Sequence, residues 1–339
     1  MSEKQSCENM SKNLADSPFH KGEQRIQHRL GVRDQMERVG RHVIRDHMPM
    51  QHRSFFENLP YVFVGHADSG GWPWASVLFG KPGFMRSPSE QQLNINSSPL
   101  AGDPLAKSWQ EGTSLGLLGI ELPTRRRNRL SAVVSVSEDR SLMLDIKQSF
   151  GNCPQYIQTR SLSWLDKDSH PQAEVKELNG LSAEHIQLIS QSDTFFVASY
   201  LAEKNAAASE GADVSHRGGK PGFVRVDNET TLTIPDYLGN NYFNTFGNFV
   251  ENEKAGLLFL DFENGHMLTL TGKAKILWES DDLEYFEGAQ RLWRFNLQKG
   301  YFVKHALPVR WTLEEYSPNS LLTGTWQQAE AARTLATQK

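Results

Sequence analysis

Cysteine is nearly absent from this chain of 339 residues: Cys7 lies in a polar N-terminal stretch and Cys153 in a turn-like one. Two such thiols cannot build a disulfide framework, neither forms a metal site, and the usage suits a reducing compartment. Long apolar runs are missing too. None approaches the roughly 20 residues needed to span a bilayer, and MSEKQSCENMSKNLADS offers no apolar core for a signal peptide, so a cytoplasmic place without a membrane partner is expected. A basic surplus is also lacking. Lys and Arg number 36 against 40 Asp and Glu, a net charge of −4, which argues against general nucleic-acid binding because phosphate neutralisation needs excess cations. The chain contains no G-x-G-x-x-G after a strand, no P-loop, no G-x-S-x-G elbow and no H-E-x-x-H, which disfavours Rossmann nucleotide binding and common hydrolase chemistry.

What the chain does have is a repeat. Lys-Pro-Gly-Phe-x-Arg occurs at Lys81 to Arg86 and again at Lys220 to Arg225, 139 positions on. Ser76 meets Ser215, and Leu93-Asn94-Ile95 meets Leu232-Thr233-Ile234, at the same offset; Gly116-Leu117-Leu118 meets Gly256-Leu257-Leu258 at 140. A period this long indicates duplicated domains rather than a solenoid, and the one-residue drift fits a loop insertion.

Short strand-like runs separated by turn signals fill both halves: Tyr61 to His66, Trp74 to Phe79, Gln92 to Asn96, Leu115 to Glu121, Arg129 to Val136 and Ser141 to Gln148, then Thr194 to Tyr200, Gly222 to Val226, Thr230 to Ile234, Gly256 to Phe262 and Met267 to Trp278. One helix interrupts each set, Asp103 to Gln110 and Asn241 to Asn252, and Asn264-Gly265 suits a type I′ hairpin. The expected architecture is mainly β with helices: two tandem barrels behind an N-terminal helix. The expected divisions are a disordered tail over 1–18, a helical segment over 19–54, barrel 1 over 55–164, a linker over 165–181, barrel 2 over 182–318 and a tail over 319–339. Ile26, Val32, Met36, Val39, Val43 and Ile44 recur at helical spacing, predicting one amphipathic helix from Glu23 to Met48 before Pro49. His20, His28, His42, His47 and His52 crowd this region without a metal-ligand spacing, so no metal is expected.

Three stretches carry candidate chemistry. Asp213 to Phe223, with His216, Arg217, Gly218, Gly219 and Lys220, reads as a basic glycine-rich connection that either binds an anion or merely joins strands. Ile234-Pro235-Asp236-Tyr237-Leu238-Gly239-Asn240-Asn241 leads into a helix whose start either holds a phosphate or is simply capped by Asn240. Arg125, Arg126, Arg127 and Arg129 repel one another and call for an acidic ligand or partner, or else form a solvated rim. Phe150 to Ile157 shows no self-evident chemistry, and Cys153 reads as a packed turn residue.

Together VSHRGGKPGFVRV, LTIPDYLGNNYFNTFGNFVEN, AGLLFLDF and LTLTGKAKI, spanning about Asp193 to Trp278, resemble the pyridoxamine 5′-phosphate oxidase-like family of FMN-binding split barrels, with barrel 1 following more weakly through the repeat. The resemblance implies FMN at the junction of two barrels. It would place Ser215, Arg217 and Lys220 on the flavin-binding strand region, Ile234, Pro235 and Asp236 along the ring and ribityl chain, and Asn240, Asn241 and Asn244 near the phosphate. Typical members carry Arg and Lys where this chain has Asn240-Asn241, so Arg125, Arg126 and Arg127 of barrel 1 are the expected supply of charge. One chain would then build as an internal pseudo-dimer what relatives build by dimerising, and two chains could pair again. The Arg-x-His substrate motif of the vitamin enzymes is missing from Leu292 to Tyr316. The implied activity is FMN-dependent oxidoreduction of a small molecule or with NAD(P)H as hydride donor. The rivals are a non-catalytic flavin-binding or storage protein, and a flavin-free fold that serves as a stress or interaction protein or takes deazaflavin or haem.

Overall fold

The structure, a computed structural model, describes residues 17–166, 171–202 and 207–338. Most of the expected disordered tail, with Cys7, and the His170 end of the linker fall outside them. Three helices open the described chain: α1 (Lys21–Arg29), α2 (Arg33–Val43) and α3 (Met50–Asn58). The single helix expected from Glu23 to Met48 is thus two. Gly31 takes a left-handed φ of 68° and breaks the run where a side chain would be strained. A capping box starts α1: His20 Nδ1 accepts from the Gly22 N–H at 3.1 Å, and Glu23 accepts from the His20 N–H at 2.7 Å.

Two large antiparallel sheets follow. The first contains β1 (Tyr61–Ala67), β2 (Pro73–Phe79), β3 (Met85–Ser89), β4 (Gln92–Ile95), β5 (Ser114–Glu121), β6 (Arg126–Glu138) and β7 (Ser141–Gly151), in the order β2-β1-β5-β6-β7-β4-β3. After β8 (Thr159–Trp164) and β9 (Glu174–Leu178), the second contains β10 (Thr194–Leu201), β11 (Gly211–Gly218), β12 (Arg225–Asn228), β13 (Thr231–Tyr237), β14 (Lys254–Leu260), β15 (Met267–Leu277) and β16 (Ala289–Lys304), in the order β11-β10-β14-β15-β16-β13-β12. Adding nine to each strand of the first order yields the second, so the repeat in the sequence is a repeat of topology: tandem split barrels.

The repeated motif is a turn. Phe84 N–H donates to Lys81 O at 2.9 Å and Phe223 N–H to Lys220 O at 3.0 Å, with Gly83 and Gly222 at φ of 90° and 86°. Proline at the second position and glycine at the third are what a type II turn requires. Lys220 therefore belongs to a structural turn. The other repeated signal, Gly-Leu-Leu, marks the contact between barrels: a Cβ on Gly116 would meet Ala212 O at 2.6 Å, and one on Gly256 would meet Pro73 O at 2.5 Å. Phe63 of β1 stacks on Phe196 of β10 with ring centroids 3.5 Å apart, at the heart of an apolar cluster drawn from both barrels.

Several expectations change. The helix expected at Asp103 to Gln110 is a 3-10 turn at Pro104–Ser108, and that at Asn241 to Asn252 is α5 (Asn244–Glu251), after α4 (Ala183–Gln191). The Asn264-Gly265 hairpin exists between β14 and β15, but only Gly265 has positive φ and Asp261 accepts from the Glu263 and Asn264 N–H groups, so the loop is wider than a type I′ turn. The connecting segment is not wholly a linker, since β9 pairs with β16. Inside the stretch expected for barrel 2, β17 (Val309–Glu315) pairs with β8, and the tail expected over 319–339 holds structure: α6 (Pro318–Leu321) runs into it, and α7 (Trp326–Thr337) buries Trp326, whose Nε1 donates to Phe223 O at 3.0 Å.

Candidate functional site

A cleft of about 120 Å³ opens where β6 of the first barrel faces β11, β13 and the start of α5 in the second. Ser215, Arg217, Pro235, Asp236, Asn240, Asn241, Asn244 and Arg127 line it. The stretch expected to be a glycine-rich connection is in fact strand β11 as far as Gly218. Its alternation leaves Asp213, Ser215 and Arg217 partly exposed on one face and buries Val214 and His216 on the other.

Four sequence candidates lie elsewhere. Lys220 sits in the turn described above, and Ile234 is buried in the apolar core of barrel 2. Arg125, in the turn just before β6, takes a left-handed conformation, donating from Nε to Ile157 O at 2.9 Å and pairing with Glu315 at 2.6 Å. Arg126 is exposed with its guanidinium over the Phe55 ring. Strand period separates the arginines: Arg127 and Arg129 share the face toward the cleft, and Arg126 takes the other.

The electrostatics of the cleft are unbalanced. Asp236 is shared, accepting from Arg217 at 2.5 Å and from Arg291 at 2.8 Å. Arg129 pairs with Asp213 across the barrels and donates to Asn244 Oδ1 at 3.2 Å. Arg127 donates from Nε to Cys153 O at 2.7 Å. Among the described residues, four guanidinium groups thus face two aspartates in the cleft. Burial pushes Arg127 down to about 10 and Arg129 to about 9, the cost of holding cations away from water, and each is lowered further by neighbouring arginines. His216, buried and near Arg127, Arg160 and Arg217, is held well below its usual pKa and stays neutral. Its Nε2, with Arg217 Nε and Gln155 Oε1, is buried without a hydrogen-bond partner among the described residues.

The helix start adds donors. Phe243, the N-cap of α5, has a φ of 63° and gives no side-chain cap, so the N–H groups of the first turn have no intrahelical acceptor. Asn240 does not cap α5. Its Oδ1 accepts from the Tyr242 N–H at 3.2 Å and its Nδ2 donates to Asn152 Oδ1 of barrel 1 at 2.9 Å. From beneath, Glu23 of α1 accepts from Asn244 Nδ2, and Gln27 donates to Tyr242 O at 3.2 Å. Glu23 is raised to about 8 by burial, against the pull of these hydrogen bonds and of Arg129 and Arg33.

Sequence reasoning missed the roof and one wall. The segment after β7 brings Asn152, Cys153, Gln155 and Tyr156 over the cleft; Tyr156 donates to Leu238 O at 3.1 Å and packs on Tyr237 at 5.1 Å between centroids. Arg291 comes from β16, paired opposite Asp236, a register that no local pattern announces. The arrangement defines a split-barrel protein with a cationic cleft shared by both barrels, suited to an anion with a polar body.

Residues 181–304 match the family model described as pyridoxamine 5′-phosphate oxidase. Over that stretch the chain is homologous to the pyridoxamine 5′-phosphate oxidase-like family, and β10 to β16 all fall within it. No curated protein matches. Among solved structures, the chain is similar to HupZ of Group A Streptococcus (16% identity, 35% of this chain and 90% of that one, TM-score 0.27). It is also similar to a Clostridium acetobutylicum protein related to general stress protein 26 (14%, 38% and 92%, 0.26) and to the FAD-binding protein of Mycobacterium smegmatis (14%, 38% and 98%, 0.24).

Proposed function

We propose that the protein binds FMN in the inter-barrel cleft and works as an FMN-dependent oxidoreductase. The observation that carries this reading is the cation surplus: among the described residues Arg127 has no carboxylate partner, in a site that also leaves Arg217 Nε and His216 Nε2 unpaired. A partly buried cation of this kind calls for a counter-ion, and a dianionic phosphate fits. Arg127, Arg129, Asn240, Asn241 and Asn244 would hold the phosphate; Ser215, Arg217, Pro235 and Asp236 would lie along the ribityl chain and ring. When bound, the flavin accepts hydride from a small molecule or NAD(P)H. The chain's own part is electrostatic: the guanidinium groups stabilise negative charge at a fixed place.

One observation favours the second reading, a flavin-binding or storage protein. Asp236 accepts from two arginines, and His216 is buried and held neutral, so the imidazole is no ready proton donor. The visible spectrum decides between the two. Purified protein given FMN should show a perturbed flavin band that bleaches on anaerobic NADPH or substrate; a bound flavin that no reductant bleaches supports storage, and no uptake refutes both.

A further inference from the structure

We propose that each chain takes one flavin, because the second cleft that duplication creates has been filled by the chain's own side chains. This rests on the flavin reading above. A two-fold relation between barrels produces clefts in pairs, so every residue of the described cleft has a counterpart on the other side. The registers identify them. Ser76 faces Val64 as Ser215 faces Val197, which aligns β2 with β11. Arg129 faces Leu118 as Thr269 faces Leu258, which aligns β6 with β15.

The counterparts of His216 and Arg217 are Val77 and Leu78, and those of Arg127 and Arg129 are Met267 and Thr269. All four are buried. Thr269 donates its hydroxyl to Ala75 O at 3.1 Å, a neutral contact between barrels where Arg129 makes a charged one with Asp213. Gly218 at the cleft wall corresponds to Phe79, a bulky apolar side chain that packs on Trp311 of β17 at 5.9 Å between centroids. None of these five positions carries a cation, the register counterpart of Arg291 is Arg140, exposed in the turn between β6 and β7, and Met267, Phe79 and Trp311 share one apolar cluster. A phosphate placed there would be desolvated without a partner.

The test is the binding stoichiometry of FMN on the full chain, by equilibrium dialysis with protein in excess of the dissociation constant. One FMN per chain is expected. Arg127→Ala or Arg127→Gln, checked for an unchanged melting profile, should weaken that site at least tenfold, while Arg125→Ala, on a side chain turned away, should bind as the parent does. Two equivalents, or one that keeps full affinity in both Arg127 variants, would overturn the proposal. No uptake by the parent would instead overturn the flavin reading beneath it.

Discussion

Glu23 shows how one side chain reports on its surroundings. It lies buried under the cleft, tied to the His20 N–H and to Asn244, and burial raises its pKa from 4.5 to about 8. A carboxyl raised on folding contributes stability that is complete below its unfolded value and lost as pH climbs through the folded one. His20, lowered from 6.5 to about 4 chiefly by burial, works in the opposite direction, adding stability as pH rises toward 6.5. Between pH 6.5 and 8 the carboxyl therefore acts with little compensation from the imidazole. Stability should fall across that window by roughly 1–3 kcal/mol, and Glu23→Gln should flatten the fall. Chemical denaturation of both proteins at several pH values checks this; parallel curves would show that Glu23 does not titrate there.

Among the elements, the strands β5 and β14 matter because each carries its glycine against the other barrel. Gly116 and Gly256 leave no room for a methyl group beside Ala212 O and Pro73 O. Backbone cannot yield as a flexible side chain would, so Gly116→Ala and Gly256→Ala should each destabilise by about 1–3 kcal/mol. A thermal melt unchanged in both would mean that the barrels separate easily. The offsets that aligned these glycines were legible in the sequence, and so were most strands, since alternation and turn chemistry are local. Less could be read of the cleft. Arg127 was visible in its run, but separating it from Arg125 and Arg126 needed the left-handed turn and the strand face. Arg291 and the roof from Asn152 to Tyr156 depend on register and on a chain path over the other barrel, which no short motif encodes. Lys220 misled because a basic residue beside glycines resembles an anion loop, whereas Pro221 and Gly222 there serve a type II turn.

At the scale of the whole molecule, the two sheets divide the labour unequally. The second supplies most of the cleft and the first supplies β6 and the segment after β7. The ribbon of β8 and β17, one strand from the end of each barrel, ties them together, with six paired positions from Val309 opposite Trp164 to Glu315 opposite Thr159. Because both walls belong to one polypeptide, a ligand of the cleft would not have to wait for two molecules to meet. Affinity for FMN should hold constant as the protein is diluted from micromolar to nanomolar concentration, the partner barrel being always present at the high effective concentration its covalent link sets. A fall in affinity on dilution would show that a second chain completes the site. Tethering has a second effect, on inheritance: a self-pairing barrel must accept every substitution on both sides of its axis at once, but here each half mutates alone, so one cleft can fill while the other keeps the charges that both halves bring to it.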